Sequence, residues 1–362
     1  MFCRWCGMAI VAAALVGCSS SPQTVAEPTS ANTSIVGASA PTPDRTPTSQ
    51  TSETTLAPAT DPPVTTAVPT TTSPSLLTTV ALPTATPTDC SAKSGQLTTT
   101  SGRHIILRAA GLTRPSPTIF VIHGYTGTPA SVEEVAEITG AANAAGAAVA
   151  YPEGSPTKQG GFGWSTGAGV FATKGVDDVA ALGEMIDSVI ATGCVDATRM
   201  TLTGESNGGG MTLIALCSPE LAGRFQQFVL VNPAIDPAVL GHCLPDTTPR
   251  AITVEAGLLD RTVPYSGGRA PLLGQLDWFS QFATETNLCD GVAEPAPVET
   301  HVVEIAGEGC AACTQLVVVD DGPHTWPGTS RGYGGLTPGT FDLNTRLIDR
   351  VLSNVPGCIV GT

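Results

Sequence analysis

From residue 105 onward, short apolar runs alternate with amphipathic stretches. The runs at 105–108, 118–122, 147–151, 200–203, 228–231, 252–255, 302–305 and 316–319 read as strands. Several are continuous in Val, Ile and Leu, as strands buried on both faces of a parallel sheet are. Helices are predicted between them over 132–145, 177–191, 206–216, 276–286 and 341–352. In the second of these, Val179, Leu182, Met185, Ile186 and Ile190 recur at helical spacing. The alternation predicts an α/β fold, a mostly parallel central sheet flanked by helices. No internal repeat is visible.

The strand at 200–203 runs into Gly204-Glu205-Ser206-Asn207-Gly208, followed by two more glycines and the apolar helix start Met211. A G-x-S-x-G sequence alone is a weak signal. Between a strand and a helix it describes a sharp turn that exposes a serine hydroxyl over a helix N-terminus. Ser206 is therefore the expected nucleophile, and a helix-capping turn serine is the plainer reading. In the α/β-hydrolase order an acid and then a histidine follow the serine. His324 lies after the last predicted strand, in a loop running Asp320 to Gly328, and is the expected base. His242 is the weaker candidate, and His301 falls in a predicted strand. Asp260, after the strand at 252–255, is the expected orienting acid, with Asp236 as competitor. Backbone N–H groups of Tyr125, after the strand ending His123-Gly124, and of Asn207 are the candidate oxyanion donors. His123 reads as structural. Deacylation in such chemistry uses water, so no metal or cofactor is required.

Composition separates this region from what precedes it. Between Ser19 and Asp89 there are 20 Thr, 12 Pro and 10 Ser, and no Phe, Trp, Tyr, Lys or His. Such a stretch cannot bury enough apolar surface to offset its ordering entropy, and it is expected to be a disordered tether. The predicted organisation is a leader at 1–17, a tether at 18–89 and one domain at 90–362. The leader carries Arg4 and an apolar run from Met8 to Gly17, too short to span a bilayer. Its end, Leu15-Val16-Gly17-Cys18, resembles a bacterial lipoprotein cleavage box, which makes Cys18 a lipidation candidate and the membrane a partner. An ordinary secretory leader is the alternative. A net charge of −15 with three Lys excludes a specific nucleic-acid partner.

Eight cysteines follow the tether: Cys90, Cys194, Cys217, Cys243, Cys289, Cys310, Cys313 and Cys358. An even number in an exported domain points to disulfides, whose pairing spacing alone leaves open. The Cys310–Cys313 spacing also fits a redox pair or half of a zinc site.

HGYTG at 123–127, VDDV at 176–179, DATRMTLTGESNGG at 196–209, LLDRTVPYSGG at 258–268 and GPHTWPG at 322–328 follow one another in a familiar order. Together they resemble the secreted polyhydroxybutyrate-depolymerase-like and feruloyl-esterase-like hydrolases, including actinobacterial lipoproteins. The resemblance covers about residues 115–330. It implies an α/β-hydrolase fold, a Ser206–Asp260–His324 triad, and an ester substrate, small or polymeric. It implies that Cys217 pairs with Cys243, and Cys289 with Cys310 or Cys313. Trp164 and Trp326 become candidates to line the substrate pocket, with a core position as the alternative for Trp164. The chain departs from the pattern at Glu205, where the family often has an apolar residue, and at Tyr125, where it often has Cys. A carbohydrate acetyl esterase, or an inactive surface-binding lipoprotein on the same scaffold, are the rival functions.

Overall fold

The continuous apolar runs fold as expected for strands covered on both faces. The computed structural model describes residues 89–167, 175–243, 248–353 and 355–359. The expected leader, Cys18 and the Thr/Pro-rich stretch up to residue 88 lie outside them.

The strands are β1 (Gly95–Thr98), β2 (His104–Arg108), β3 (Ser116–Ile122), β4 (Ala148–Pro152), β5 (Ser155–Pro156), β6 (Phe162–Gly163) and β7 (Val195–Glu205). They continue with β8 (Gln227–Val231), β9 (Ile252–Gly257), β10 (Gly291–Val292), β11 (Ala296–Glu299), β12 (Val302–Glu308) and β13 (Thr314–Val319). The main sheet runs β1-β2-β4-β3-β7-β8-β9-β13-β12-β10, with β11 paired to β12. From β4 to β13 every neighbouring pair is parallel, while both ends are antiparallel. The helices are α1 (Pro129–Ala136), α2 (Thr139–Ala145), α3 (Asp178–Ile190), α4 (Asn207–Cys217), α5 (Pro237–Leu240), α6 (Gln275–Glu285) and α7 (Leu343–Ser353).

Two apolar layers sandwich the sheet, because successive strand residues point to opposite faces. Phe120 and Ile122 of β3 join Leu202, Phe228 and Val254 beneath α3, α4 and α6. Ile119 and Val121 of the same strand join Val229, Val231 and Val317 against α1, α2 and α7. At about 25 cal/mol per Å² of apolar surface removed from water, these layers supply the main stabilisation of the fold.

The helix predicted over 132–145 is two helices. Thr128 and Ser131 form a capping box that starts α1 at Pro129. Glu137, at φ 50°, then ends it in the left-handed region. β1, β10 and β11 were not expected; they are short and sit at the ends of the sheet, where exposed residues weaken the apolar signal. His301 is not in a strand: it turns the chain just before β12, at φ 64°.

Candidate active site

β7 ends at Glu205 and α4 begins at Asn207, leaving Ser206 alone to make the turn at φ 57° and ψ −118°. A non-glycine residue there costs about 1–3 kcal/mol, so its surroundings must over-determine it. They do. The Ser206 N–H donates to Val231 O at 2.9 Å, and its carbonyl accepts from Ala234 N–H at 2.9 Å and Gly210 N–H at 3.1 Å. The glycines allow the close approach: a Cβ on Gly208 would lie 2.6 Å from the carbonyl oxygens of both Ile122 and His123. One on Gly204 would run into the carbonyl of Gly208.

The carboxyl ends of β7, β8, β9 and β13 lie along one edge of the sheet because these strands are parallel neighbours. Ser206 follows β7, Asn232 follows β8, Asp260 lies just beyond β9, and His324 lies beyond β13. Sites of open α/β sheets form at this edge. The structure brings three expected residues together here. His324 Nε2 is 3.0 Å from Ser206 Oγ, and His324 Nδ1 is 2.6 Å from Asp260 Oδ2. Asp260 Oδ1 accepts from Thr262 N–H at 2.7 Å and Val263 N–H at 2.8 Å. With both carboxylate oxygens engaged, Asp260 fixes the ring so that Nδ1–H donates to it and Nε2 is left to accept from the serine.

The competing residues go elsewhere. Asp236 caps α5, accepting from Ala238 and Val239 N–H. Asp320 pairs with His301 at 2.6 Å rather than with His324. His242 lies on a separate surface recess beside Glu220 and Ser218.

Sequence reasoning missed the polar support of the histidine loop. Asn232, at φ 42°, donates through Nδ2 to Glu255 Oε2 at 3.1 Å and to the Thr325 carbonyl at 3.3 Å. Its Oδ1 accepts from Gly257 N–H at 2.9 Å. One amide thus joins the ends of β8 and β9 to the residue after His324. The position directly after a parallel strand was the available signal.

Burial works against a charged His324 ring, but the Asp260 hydrogen bond and the charges of Glu205 and Asp260 outweigh it. The imidazole is held above its ordinary value, with Arg269 pulling the other way. Burial pushes Glu205 up to about 7; His324 lowers it and Asp260 raises it. Its Oε1 lies 3.4 Å from His324 Nε2. Burial likewise pushes Glu255 well up, with Asp260 adding to the effect.

A cleft of about 590 Å³ opens over Ser206 and His324. Tyr125, Val263, Ala270, Pro271, Leu272 and Tyr333 are among its walls. Neither candidate tryptophan lines it. Trp164 is fully buried, donates Nε1–H to the His123 carbonyl at 3.0 Å, and packs in the core. Trp326 is equally buried beneath α7, bonded to Asn344 Oδ1 at 2.9 Å. Held this far inside the protein, neither indole reaches the cleft. Asn207 uses its side chain structurally, bonding the Trp164 backbone and Thr166 Oγ1, while its backbone belongs to the first turn of α4, where N–H groups lack helical acceptors. Burial pushes His123 down to about 4. Its neutral ring accepts from Gly154 N–H at 3.0 Å and donates to the Gly124 carbonyl at 2.8 Å, which shapes the turn into Tyr125.

Four disulfides brace the domain: Cys90–Cys194, Cys217–Cys243, Cys289–Cys310 and Cys313–Cys358. Cys217–Cys243 ties the end of α4, and Cys310 and Cys313 serve different bridges, which removes the redox-pair and zinc readings.

No family model matches the chain. It is 27% identical over 159 residues to a probable feruloyl esterase C of Aspergillus clavatus, covering 43% of this chain and 53% of that one. The chain thus spans about half the length of this curated relative. An acetyl xylan esterase from Aspergillus awamori superposes with a TM-score of 0.45 at 15% identity, over 62% of this chain and 88% of that one. A carboxylesterase from Lactobacillus plantarum does so at 0.37 and 18%, over 52% and 78%. The parallel sheet order, the serine turn between β7 and α4, and the acid and histidine loops at the same sheet edge are the α/β-hydrolase fold.

Proposed function

We propose that the chain is a serine esterase that works by acyl transfer. The observation that carries the reading is the hydrogen-bonded run Ser206–His324–Asp260 at the floor of an open cleft. Ser206 Oγ attacks the ester carbonyl carbon as His324 Nε2 takes its proton. The oxyanion is stabilised by backbone N–H groups of Tyr125 and Asn207. The imidazolium, held by Asp260, then gives its proton to the departing alcohol. Water, deprotonated by the same nitrogen, releases the acid and restores Ser206.

The walls at Val263, Ala270, Pro271 and Leu272 favour an apolar acyl group, and Tyr125 and Tyr333 give it flat surfaces to lie against. We assign hydroxyalkanoate or aromatic esters, feruloyl esters included, as the substrate class; the partial likeness to a probable feruloyl esterase supports this. The four disulfides and the leader sequence support export, and Leu15-Val16-Gly17-Cys18 supports a lipid anchor at Cys18 carrying the domain on its Thr/Pro-rich tether.

A panel of acetyl, butyryl, hydroxybutyrate-oligomer and methyl ferulate esters tests the substrate class. Hydrolysis of the last two is expected, and hydrolysis of the acetyl ester alone would overturn it. Ser206→Ala is expected to abolish turnover of a p-nitrophenyl ester in a folded protein, and retained turnover would overturn the mechanism.

A further inference from the structure

The residue just before the proposed nucleophile is a buried carboxyl that the triad does not use. Glu205 is 2% exposed and lines the cleft floor. Its two oxygens face different parts of the site. Oε1 lies 3.4 Å from His324 Nε2. Oε2 packs against Gly124, only 2.8 Å from where a Cβ there would stand. The carboxyl therefore wedges between the histidine and the turn that carries Tyr125, held by the same strand that presents Ser206.

We propose that Glu205 is a positioning residue for His324, sharing Nε2 with Ser206 while Asp260 holds Nδ1, so that the acidic limb of activity belongs to the Glu205–His324 pair. The inference rests on the serine-esterase reading of this site. Its physical basis is that a carboxyl sealed in this place is stable as a neutral acid or beside a cation, and a lone buried carboxylate is costly. Two groups this close, exchanging one proton, titrate as a unit rather than singly.

The charged groups around the pair work in both directions. Asp260 faces both members and favours a proton on each. Glu255 lies near enough for its own carboxyl to be raised by Glu205. Arg269, from the cleft wall, disfavours the imidazolium. The Tyr333 hydroxyl, buried without a hydrogen-bond partner, is neutral and is kept so by burial and by Glu205. As Ser206 Oγ bonds the ester carbon its proton passes to Nε2, and the new imidazolium stands between two carboxylates until it gives that proton to the departing alcohol. Below the limb the pair holds an extra proton, Nε2 is occupied, and Ser206 is left without a base.

An anionic Glu205 raises His324, so Glu205→Gln lowers it, and the neutral base persists to lower pH. The experiment is the pH dependence of fluorophosphonate labelling and of p-nitrophenyl ester kcat/KM in wild type, E205Q and E205D. In E205Q the acid limb is expected to move down by about one pH unit or more. Its plateau is expected to fall about threefold to tenfold, because a weaker base removes the proton less well. E205D keeps the charge and is expected to keep a limb above that of E205Q. A lowered plateau with an unmoved limb in E205Q would reduce Glu205 to packing and overturn the proposal. Should E205Q not fold, the wild-type His324 Nδ1–H resonance decides: two titration steps are expected, and a single step overturns the proposal. Absence of labelling at Ser206 in wild type would instead overturn the esterase reading on which this rests.

Discussion

Ser206 and His324 are held by two different kinds of contact. The serine turn is made of backbone: carbonyl and N–H groups of 206, 210, 231 and 234, closed by glycines that admit no side chain. The histidine loop is held by side chains from distant strands, through Asp260, Asn232 and Glu255. The first is backbone packed on backbone, drawn from the β7–α4 turn, the segment after β8 and the end of β3. The second depends on polar groups that must find partners once buried, which makes it the more sensitive to charge and pH.

The comparison predicts different failures. In the turn, Gly208→Ala places a methyl against two carbonyl oxygens that cannot yield without moving β3. The expected cost is about 3 kcal/mol of stability, with more than about a hundredfold loss of activity from a displaced Ser206. Denaturant unfolding and ester turnover read both effects. A stable, active variant would show that the turn is looser than described.

In the loop, Asn232→Ala frees the Thr325 carbonyl and leaves the Glu255 carboxyl without its donor. The expected loss is about 1–3 kcal/mol. Turnover is expected to fall about tenfold to a hundredfold with KM little changed, because the base drifts while the cleft walls stay. A change confined to KM would contradict the positioning role.

The smallest effect separates the two regions by pH alone. Glu205 and Glu255 keep their protons in the folded protein to higher pH than in the unfolded chain, where 4.5 is ordinary. Across that window, which for Glu205 extends to about 7, the folded state binds more protons, so stability falls as pH rises. Glu255→Gln removes one contributor, and its melting temperature is expected to fall less than that of wild type as pH is raised from about 5 to 8. Equal falls in both proteins would contradict the assignment of a buried neutral carboxyl at 255.

What was legible in the chain divides along the same line. The parallel centre of the sheet was readable because β3, β8 and β13 each contain an unbroken apolar run, and Ser206 because its turn chemistry is local. Asp260 and His324 were found by their order after later strands, a rule of topology. Asn232, Glu255 and the cleft wall at 263–272 were not, because their meaning lies in contacts across long sequence separations. The tryptophans show the opposite error. Trp326, two residues from His324, turns into the layer under α7 and donates its N–H to Asn344, so nearness in sequence said little about nearness to substrate. The split of the helix expected over 132–145 has a single-residue cause, the left-handed Glu137, and such a conformation in a Glu has no reliable sequence signal.

The most direct test is to react the folded protein with a fluorophosphonate and locate the adduct by mass spectrometry, in wild type and in His324→Ala. The account predicts one adduct, on Ser206, lost or strongly slowed without the histidine. An adduct on another residue, no adduct on folded wild type, or undiminished labelling in the variant would contradict it.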